Sequence, residues 1–158
     1  MKKEEYITQL EKSVTVLEDL IRTIPADRLT REFGGTVWSV HTHIHHLALT
    51  QSMLQKRIQL FLKQAFPQIV PYFPGDEGKK PVLKPIPELV ALFKNWRTKQ
   101  IDSVKTAEES VWNKKAIHPQ YEEYSFHILL RHILLHDYFH YYRIEELGLL
   151  KPENIKPL

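Results

Sequence analysis

The spacing of hydrophobic residues along the chain predicts long amphipathic helices and shows no strand-like alternation. In residues 4–24, apolar side chains recur at steps of three and four, the period of one helix face. They are Ile7, Leu10, Val14, Leu17 and Ile21. Pro25 ends this first helix, and Gly34-Gly35 predicts a turn. The second helix is predicted from about Ser39, a favourable N-cap, to Phe66.

The same pattern predicts two further long helices. The third begins near Pro87, a residue favoured in the first helical turn, and runs to about Val111. Its predicted buried residues are Leu89, Phe93, Trp96 and Val104. The fourth runs from about Ser125 to Leu147, with Gly148 predicted as the residue just beyond its end. Four long helices in one chain predict an all-α four-helix bundle.

Two segments lack a helical period. Residues 67–87 are rich in proline and glycine, which predicts an irregular connection that either covers a site or crosses between distant helix ends. Residues 149–158 are polar and are predicted to form an extended tail. Because 158 residues suit one domain with a single core, we expect residues 1–158 to form one helical domain.

Composition excludes several classes of protein. The formal net charge is only +3 and no segment concentrates basic residues, so no nucleic-acid partner is expected. The apolar runs are too short to span a membrane, and the charged first residues lack the apolar stretch of a signal peptide. Cysteine is absent, which excludes disulfides, a cysteine nucleophile and cysteine ligands, and suits a reducing cytoplasm. We therefore expect a cytoplasmic protein.

Eight of the nine histidines fall in two clusters, His41–His46 and His127–His140. On the fourth helix His136 and His140 are one turn apart, about 40° around the axis, on the apolar face. Two inward imidazoles at this spacing can bind one metal ion, with a third ligand from another helix. The alternative is a pair of hydrogen-bonded core histidines.

The other histidines leave alternatives open. His132, one turn before His136, is a ligand, a partner of a ligand or a solvent-facing residue. On the second helix, His41 and His45 lie away from the apolar side and are predicted to be solvated or interfacial. His43 and His46 lie closer to that side, about 60° apart. Periodicity does not choose between these two as the third ligand.

Residues flanking the histidine pair offer supporting roles. Asp137 either orients a histidine on a neighbouring helix or forms a salt bridge. Arg143 either holds an anionic substrate group near the metal or forms an ion pair between helices. The aromatic residues are predicted to make packing or dimer contacts; they are Tyr138, Phe139, Tyr141 and Tyr142.

The ordered combination of these motifs resembles the DinB/YfiT-like family, part of the DinB superfamily. The segment Trp38-Ser39-Val40 is followed by His46, eight residues after the tryptophan, and His136 to Ile144 is similar to the second half of the family signature. His118-Pro119 and Ile24-Pro25 also resemble the family pattern. The likeness extends in order from the first helix to about Leu147.

This resemblance implies an up-down-down-up four-helix bundle that holds one divalent metal ion, zinc or nickel. The matching residues for its three-histidine site are His46, His136 and His140. The family often has an acidic residue four positions after the tryptophan. Here that position is Thr42, so no carboxylate is expected there.

The resemblance also implies a range of activities. Three neutral ligands leave the ion its positive charge and an open position, where it lowers the pKa of water toward 7 or deprotonates a thiol. The implied function is a transferase that joins a low-molecular-weight thiol of the bacillithiol type to an electrophilic substrate. A metal-dependent hydrolase and a non-catalytic binding or association bundle are the alternatives. Without cysteine, the thiol must be a co-substrate. Related bundles also imply a possible homodimer.

Overall fold

The four predicted long helices are present in the computed structural model, which describes residues 1–34, 37–71 and 82–155. In chain order the elements are α1 (Lys3–Thr23), α2 (Ala26–Leu29), α3 (Val40–Lys63), α4 (Ile86–Thr106), α5 (Glu109–Trp112), β1 (Lys115–Ala116), β2 (Tyr124–Ser125) and α6 (Phe126–Leu149). A 3₁₀ turn, Pro152–Asn154, follows α6. Part of the proline-rich connection, residues 72–81, lies outside the described residues, as do Gly35 and residues 156–158. The single domain over 1–158 therefore stays a prediction.

Helices α3 and α4 run parallel, as contacts along their length show. Gln100 Nε2 donates to Gln51 Oε1 at 2.9 Å, and further along both helices Gln55 Nε2 donates to Ser103 Oγ at 3.0 Å. A parallel pair needs a connection that returns over the full helix length. The residues between Lys63 and Ile86 supply that connection.

Helix α6 runs parallel to α1 and antiparallel to α3. Tyr6 OH donates to the carbonyl of His127 near the start of both helices, and Arg28, just after α1, donates to the carbonyl of Gly148 near the end of α6. Both α1 and α3 pack between α4 and α6, so α1 and α3 are diagonal to each other. The predicted up-down-down-up topology is confirmed.

A buried polar layer crosses the bundle between two hydrophobic clusters. The first cluster includes Leu10, Ile58, Val104 and Ile133, and the second includes Leu17, Leu47, Phe93 and Ile144. Between them, Arg97 of α4 donates to Asp137 Oδ2 at 2.7 Å, to Gln51 Oε1 at 3.1 Å and to Ser13 Oγ at 3.1 Å. Arg97 and Asp137 are both 0% exposed. The layer therefore joins all four long helices.

Several local predictions were wrong. The third helix ends at Thr106, and residues 109–112 form the separate α5. The sequence made no prediction for two short strands, β1 and β2, which pair antiparallel, and Gln68 pairs with Ile117 beside them. Strands of two residues are too short to show an alternating pattern. The predicted extended tail contains a 3₁₀ turn.

Two buried positions also differ from expectation. Trp96 is half-buried rather than buried, and Lys99 Nζ lies 4.5 Å from its ring centroid. Gly148 lies inside α6 and not beyond its end. A Cβ at this position would be 2.5 Å from Ile24 Cδ1. This glycine allows α6 to approach the end of α1 closely.

None of the helices in residues 1–34, 37–71 and 82–155 has both the length and the apolarity needed to cross a bilayer.

We predict that breaking the Arg97–Asp137 pair is far more costly than breaking a surface pair. Asp137→Ala leaves a buried guanidinium without its counter-ion, which costs about 3–5 kcal/mol of unfolding free energy. The matched control is Glu18→Ala, which removes the exposed Glu18–Lys94 pair and should cost less than about 1 kcal/mol. Urea denaturation followed by circular dichroism measures both. Equal losses in the two variants would contradict the prediction.

Candidate metal centre

The candidate site lies where the start of α3 faces the second half of α6. Ser39 caps α3, since its Oγ accepts a hydrogen bond from the Thr42 amide at 3.1 Å. This cap begins the helix soon after Trp38, and on the helix His43 and His46 face α6. Because the two helices are antiparallel, His46 meets His136 and His43 meets His140.

Three histidines from these helices form one cluster. His46 Nε2 lies 3.0 Å from His136 Nε2. One ring nitrogen from each of His46, His136 and His140 falls within 4.8 Å of the others. Two nitrogens bound to one tetrahedral ion are roughly 3.4 Å apart, so small side-chain rotations suffice to bring all three to a divalent ion. Imidazole nitrogen suits zinc, nickel, copper or iron, so the donor set fits a metal.

His43 occupies a different position from the three clustered histidines. Its Nδ1 lies 2.8 Å from His140 Nδ1, and the side chain is 2% exposed. This hydrogen bond occupies one nitrogen of His140 and leaves Nε2 for a metal. The geometry thus favours His46 as the α3 ligand and His43 as the residue that orients His140, as partners of metal-bound histidines commonly do.

Trp38 forms one wall of the cluster. Its ring centroid lies 5.2 Å from those of His43 and His46, and it stacks on His140 at 6.1 Å with an interplanar angle of 9°. The side chain is 40% exposed, so it separates the histidines from solvent. In the sequence, Trp38 was used only as a residue of the family motif, and its contact with the histidines was not predicted. Its closeness in sequence to His43 and His46 is the signal that could have indicated this contact.

Comparison with known proteins bears on the family and the fold of the chain. The family model described as the DinB superfamily matches residues 9–144. The chain belongs to the DinB superfamily. No match was found among curated proteins.

A solved structure supports the fold of this DinB protein. YfiT from Bacillus subtilis, described as "a probable metal-dependent hydrolase with an unusual four-helix bundle topology", aligns with a TM-score of 0.76 at 21% identity. The alignment covers 92% of this chain and 85% of YfiT. At that identity the likeness concerns the fold.

Burial keeps the clustered histidines of this DinB protein neutral. Burial, with the nearby charges of His46 and Arg97, lowers the pKa of His136 to about 4. Burial and the charge of Arg143 lower the pKa of His43 to about 4. The pKa values of His46 and His140 are also lowered, mainly by burial. At pH 7 their lone pairs are therefore available to a metal.

The neighbouring α3 histidines correct one prediction. His45 is only 8% exposed, so of its two predicted alternatives, solvated or interfacial, the solvated one was wrong. His41 is half-buried, and its Nε2 lies 2.7 Å from the carbonyl of Lys84. The chain just before α4 therefore passes over the face of α3 that periodicity assigned to solvent.

The remaining candidates lie outside the three-histidine cluster. His132 Nδ1 is 3.4 Å from Tyr124 OH. Asp137 forms the buried salt bridge with Arg97, so the salt-bridge alternative is the one observed. Arg143 pairs with Glu146 on its own helix at 2.5 Å, and its charge acts on His43. Within the described residues, the cluster contains no carboxylate.

The lowered pKa values predict that the metal-free protein loses stability as the pH falls. The unfolded chain binds protons near pH 6.5, whereas folded His43 and His136 do so near pH 4. Between these values the unfolded state holds more protons, so stability is full above pH 6.5 and declines toward pH 4. Urea denaturation of chelator-treated protein from pH 7.5 to 4.5 measures this.

The matched variants for this test are His136→Gln and His41→Gln. The first removes a buried histidine and should flatten the pH dependence, whereas the second should leave it unchanged. Stability that stays constant from pH 7.5 to 4.5 in the parent protein would contradict the burial argument.

Proposed function

We propose that this protein is a metal-dependent transferase that joins a low-molecular-weight thiol to an electrophilic substrate. His46, His136 and His140 are its proposed ligands for one divalent ion, zinc or nickel. The observation that carries the proposal is the approach of their three ring nitrogens within 4.8 Å. When bound, such an ion offers an open coordination position at which a thiol is deprotonated.

The protein's own residues prepare this site. His43 holds His140 through their Nδ1 atoms, so the His140 ring keeps one orientation. Trp38 covers the histidines and limits access of water. The Arg97–Asp137 pair fixes α6 one residue away from His136. The chain has no cysteine, so the thiol enters as a co-substrate.

Among the described residues no carboxylate belongs to the histidine cluster, which favours a thiol over water as the nucleophile. Hydrolysis commonly uses an acid or base to move protons to the leaving group. Of the carboxylates in the described part of the chain, none joins the three histidines, and Asp137 is engaged by Arg97. Thr42 supplies no carboxylate either. A metal-bound thiol loses its proton without such a base.

A metal-dependent hydrolase is the second candidate. It is favoured by the structural likeness to YfiT, which is described as a probable metal-dependent hydrolase. The same three histidines would serve, with a bound water whose pKa falls toward 7. The third alternative, a non-catalytic binding bundle, requires no reaction at the site.

We also propose that the protein acts in the cytoplasm, as the lack of cysteine suggests. A homodimer stays a prediction. Aromatic side chains on the outer face of α6 are exposed, namely Tyr138, Phe139 and Tyr142, whereas Tyr141 is buried.

The ligand assignment predicts distinct effects for four substitutions. His46→Ala, His136→Ala and His140→Ala should each abolish stoichiometric metal binding, because each removes one of three ligands. His43→Ala should keep the metal but weaken its affinity by roughly 10- to 100-fold, since it removes only an orienting partner. His41→Ala is the control and should bind normally. Metal analysis and competition with a chromogenic chelator measure the affinities.

Two results would contradict this assignment. Stoichiometric metal in His46→Ala would transfer the ligand role to His43. A parent protein that takes up no zinc or nickel would remove the proposed metal centre.

The proposed reaction predicts thiol consumption that depends on the metal. With an electrophile such as 1-chloro-2,4-dinitrobenzene, the metal-loaded protein should consume a small thiol, form the thioether and release chloride and a proton. The His136→Ala variant should lose this activity. Thiol loss, thioether formation and hydrolysis of p-nitrophenyl esters are measured separately. Ester hydrolysis without thiol transfer would favour the hydrolase instead, and neither reaction would favour the non-catalytic alternative.

A further inference from the structure

A second cluster of imidazole and phenol side chains lies beside the first. The ring centroids of His118 and Tyr124 are 4.7 Å apart, and those of Tyr124 and His132 are 5.5 Å apart. Tyr121 lies 4.8 Å from His118 and 5.2 Å from His132 by the same measure. The charge of Arg57 acts on His118, Tyr124 and His132. The proposed reaction uses none of these five residues.

This cluster lies on the same side of the bundle as the three histidines. On α6, His132 precedes His136 by one turn, about 6 Å along the axis. On α3, Arg57 follows His46 by 11 residues, which is three turns plus about 20° and a distance of roughly 16 Å. Because α3 and α6 pack together as antiparallel neighbours, both sets of side chains lie along the interface of these two helices.

Hydrogen bonds fix His118 as a donor. Its Nδ1 accepts the Gln120 amide at 3.1 Å, so the neutral ring carries its hydrogen on Nε2. Ile117, the residue before His118, is fixed by two backbone hydrogen bonds of 2.9 Å. Its amide donates to the carbonyl of Pro67, and its carbonyl accepts from the amide of Ile69. Burial and the charge of Arg57 lower the pKa of His118, which keeps the ring neutral at pH 7.

The charge around the cluster is positive. Arg57 donates to the carbonyl of Val70 at 3.1 Å, a neutral acceptor that does not cancel its charge. Among the residues placed by the structure, no carboxylate pairs with Arg57. Burial lowers the pKa of His132, and Arg131 and Arg57 lower it further. Tyr121 is 48% exposed, and Arg57, His118 and His132 are half-buried, so a ligand can reach them.

We propose that Arg57, His118 and His132 bind an anionic oxygen group, a carboxylate or a phosphate, with Tyr121 as the exposed wall. This inference rests on the proposed function in one respect: the anion is one end of the thiol or electrophile that reacts at the three histidines. Helix geometry places the reacting centre and the anion about 6–16 Å apart, so the substrate is elongated. A guanidinium with imidazole N–H donors is the usual chemistry for such groups.

The test measures anion binding to metal-free protein, which separates it from the metal centre. Succinate and inorganic phosphate are the two probes, titrated by isothermal calorimetry and by the ¹H–¹⁵N signals of the imidazoles. We expect the tighter of the two probes to identify the group and to shift the His118 and His132 signals. Arg57→Gln should weaken binding at least about tenfold, because it removes a charge-assisted contact.

Matched variants make the result specific. Lys56→Gln removes the same charge from the adjacent, exposed position and should change affinity less than about twofold. Arg57→Lys should keep part of the affinity, and His132→Gln should lower it without the loss of charge. Thermal melts verify that each variant is folded, and His132→Gln serves as the test if Arg57→Gln is not.

Three outcomes would overturn the proposal: no binding of either probe, equal weakening in Lys56→Gln and Arg57→Gln, or binding that is lost in His136→Ala but kept in Arg57→Gln. The last would place the anion at the three histidines. If His136→Ala binds no metal but keeps the anion, the subsite stands independently. If the parent protein binds no metal, the anion titrations still test this site, because they use metal-free protein.

Discussion

The buried ion pair between Arg97 and Asp137 is the interaction on which the bundle depends. Removing two charges from water is costly, and that cost is met only when the pair and its hydrogen bonds to Ser13 and Gln51 form together. These partners come from all four long helices. Any helix that slides along its axis would leave a buried charge unsatisfied. The layer therefore sets the relative heights of the helices, with one hydrophobic cluster on each side.

The same layer sets the positions of the candidate metal ligands along the bundle axis. Asp137 directly follows His136, and Gln51 lies five residues after His46. Once Arg97 has joined these two helices, His46 and His136 face each other, and His43 reaches His140. A three-histidine site needs this precision because ligands that are displaced by an ångström no longer share an ion. We infer that the polar layer secures the geometry of the site.

The fold by itself leaves the reaction open, because one fold hosts many activities. The side chains along the interface of α3 and α6 narrow the choice of reaction and substrate. At one end three neutral imidazoles lie beneath Trp38 without a carboxylate among the described neighbours, which suits a nucleophile that needs no general base. At the other end lie the charge of Arg57 and two neutral imidazoles, of which His118 is a hydrogen-bond donor. The substrate that would fit both the proposed metal centre and the proposed anion site is elongated and anionic.

The sequence by itself determined the four long helices, the Ser39 cap and the inward pair His136 and His140, because these follow from local periodicity and capping. It also identified the superfamily. It did not separate His46 from His43, since both lie near the apolar side of α3 and only the distance to α6 distinguishes them. Arg97 was missed in the core because a charged residue in an amphipathic pattern indicates solvent, and its partner lies 40 residues away. The burial of His45 and the packing of Gly148 against Ile24 were likewise decided by tertiary contacts, which no local pattern records.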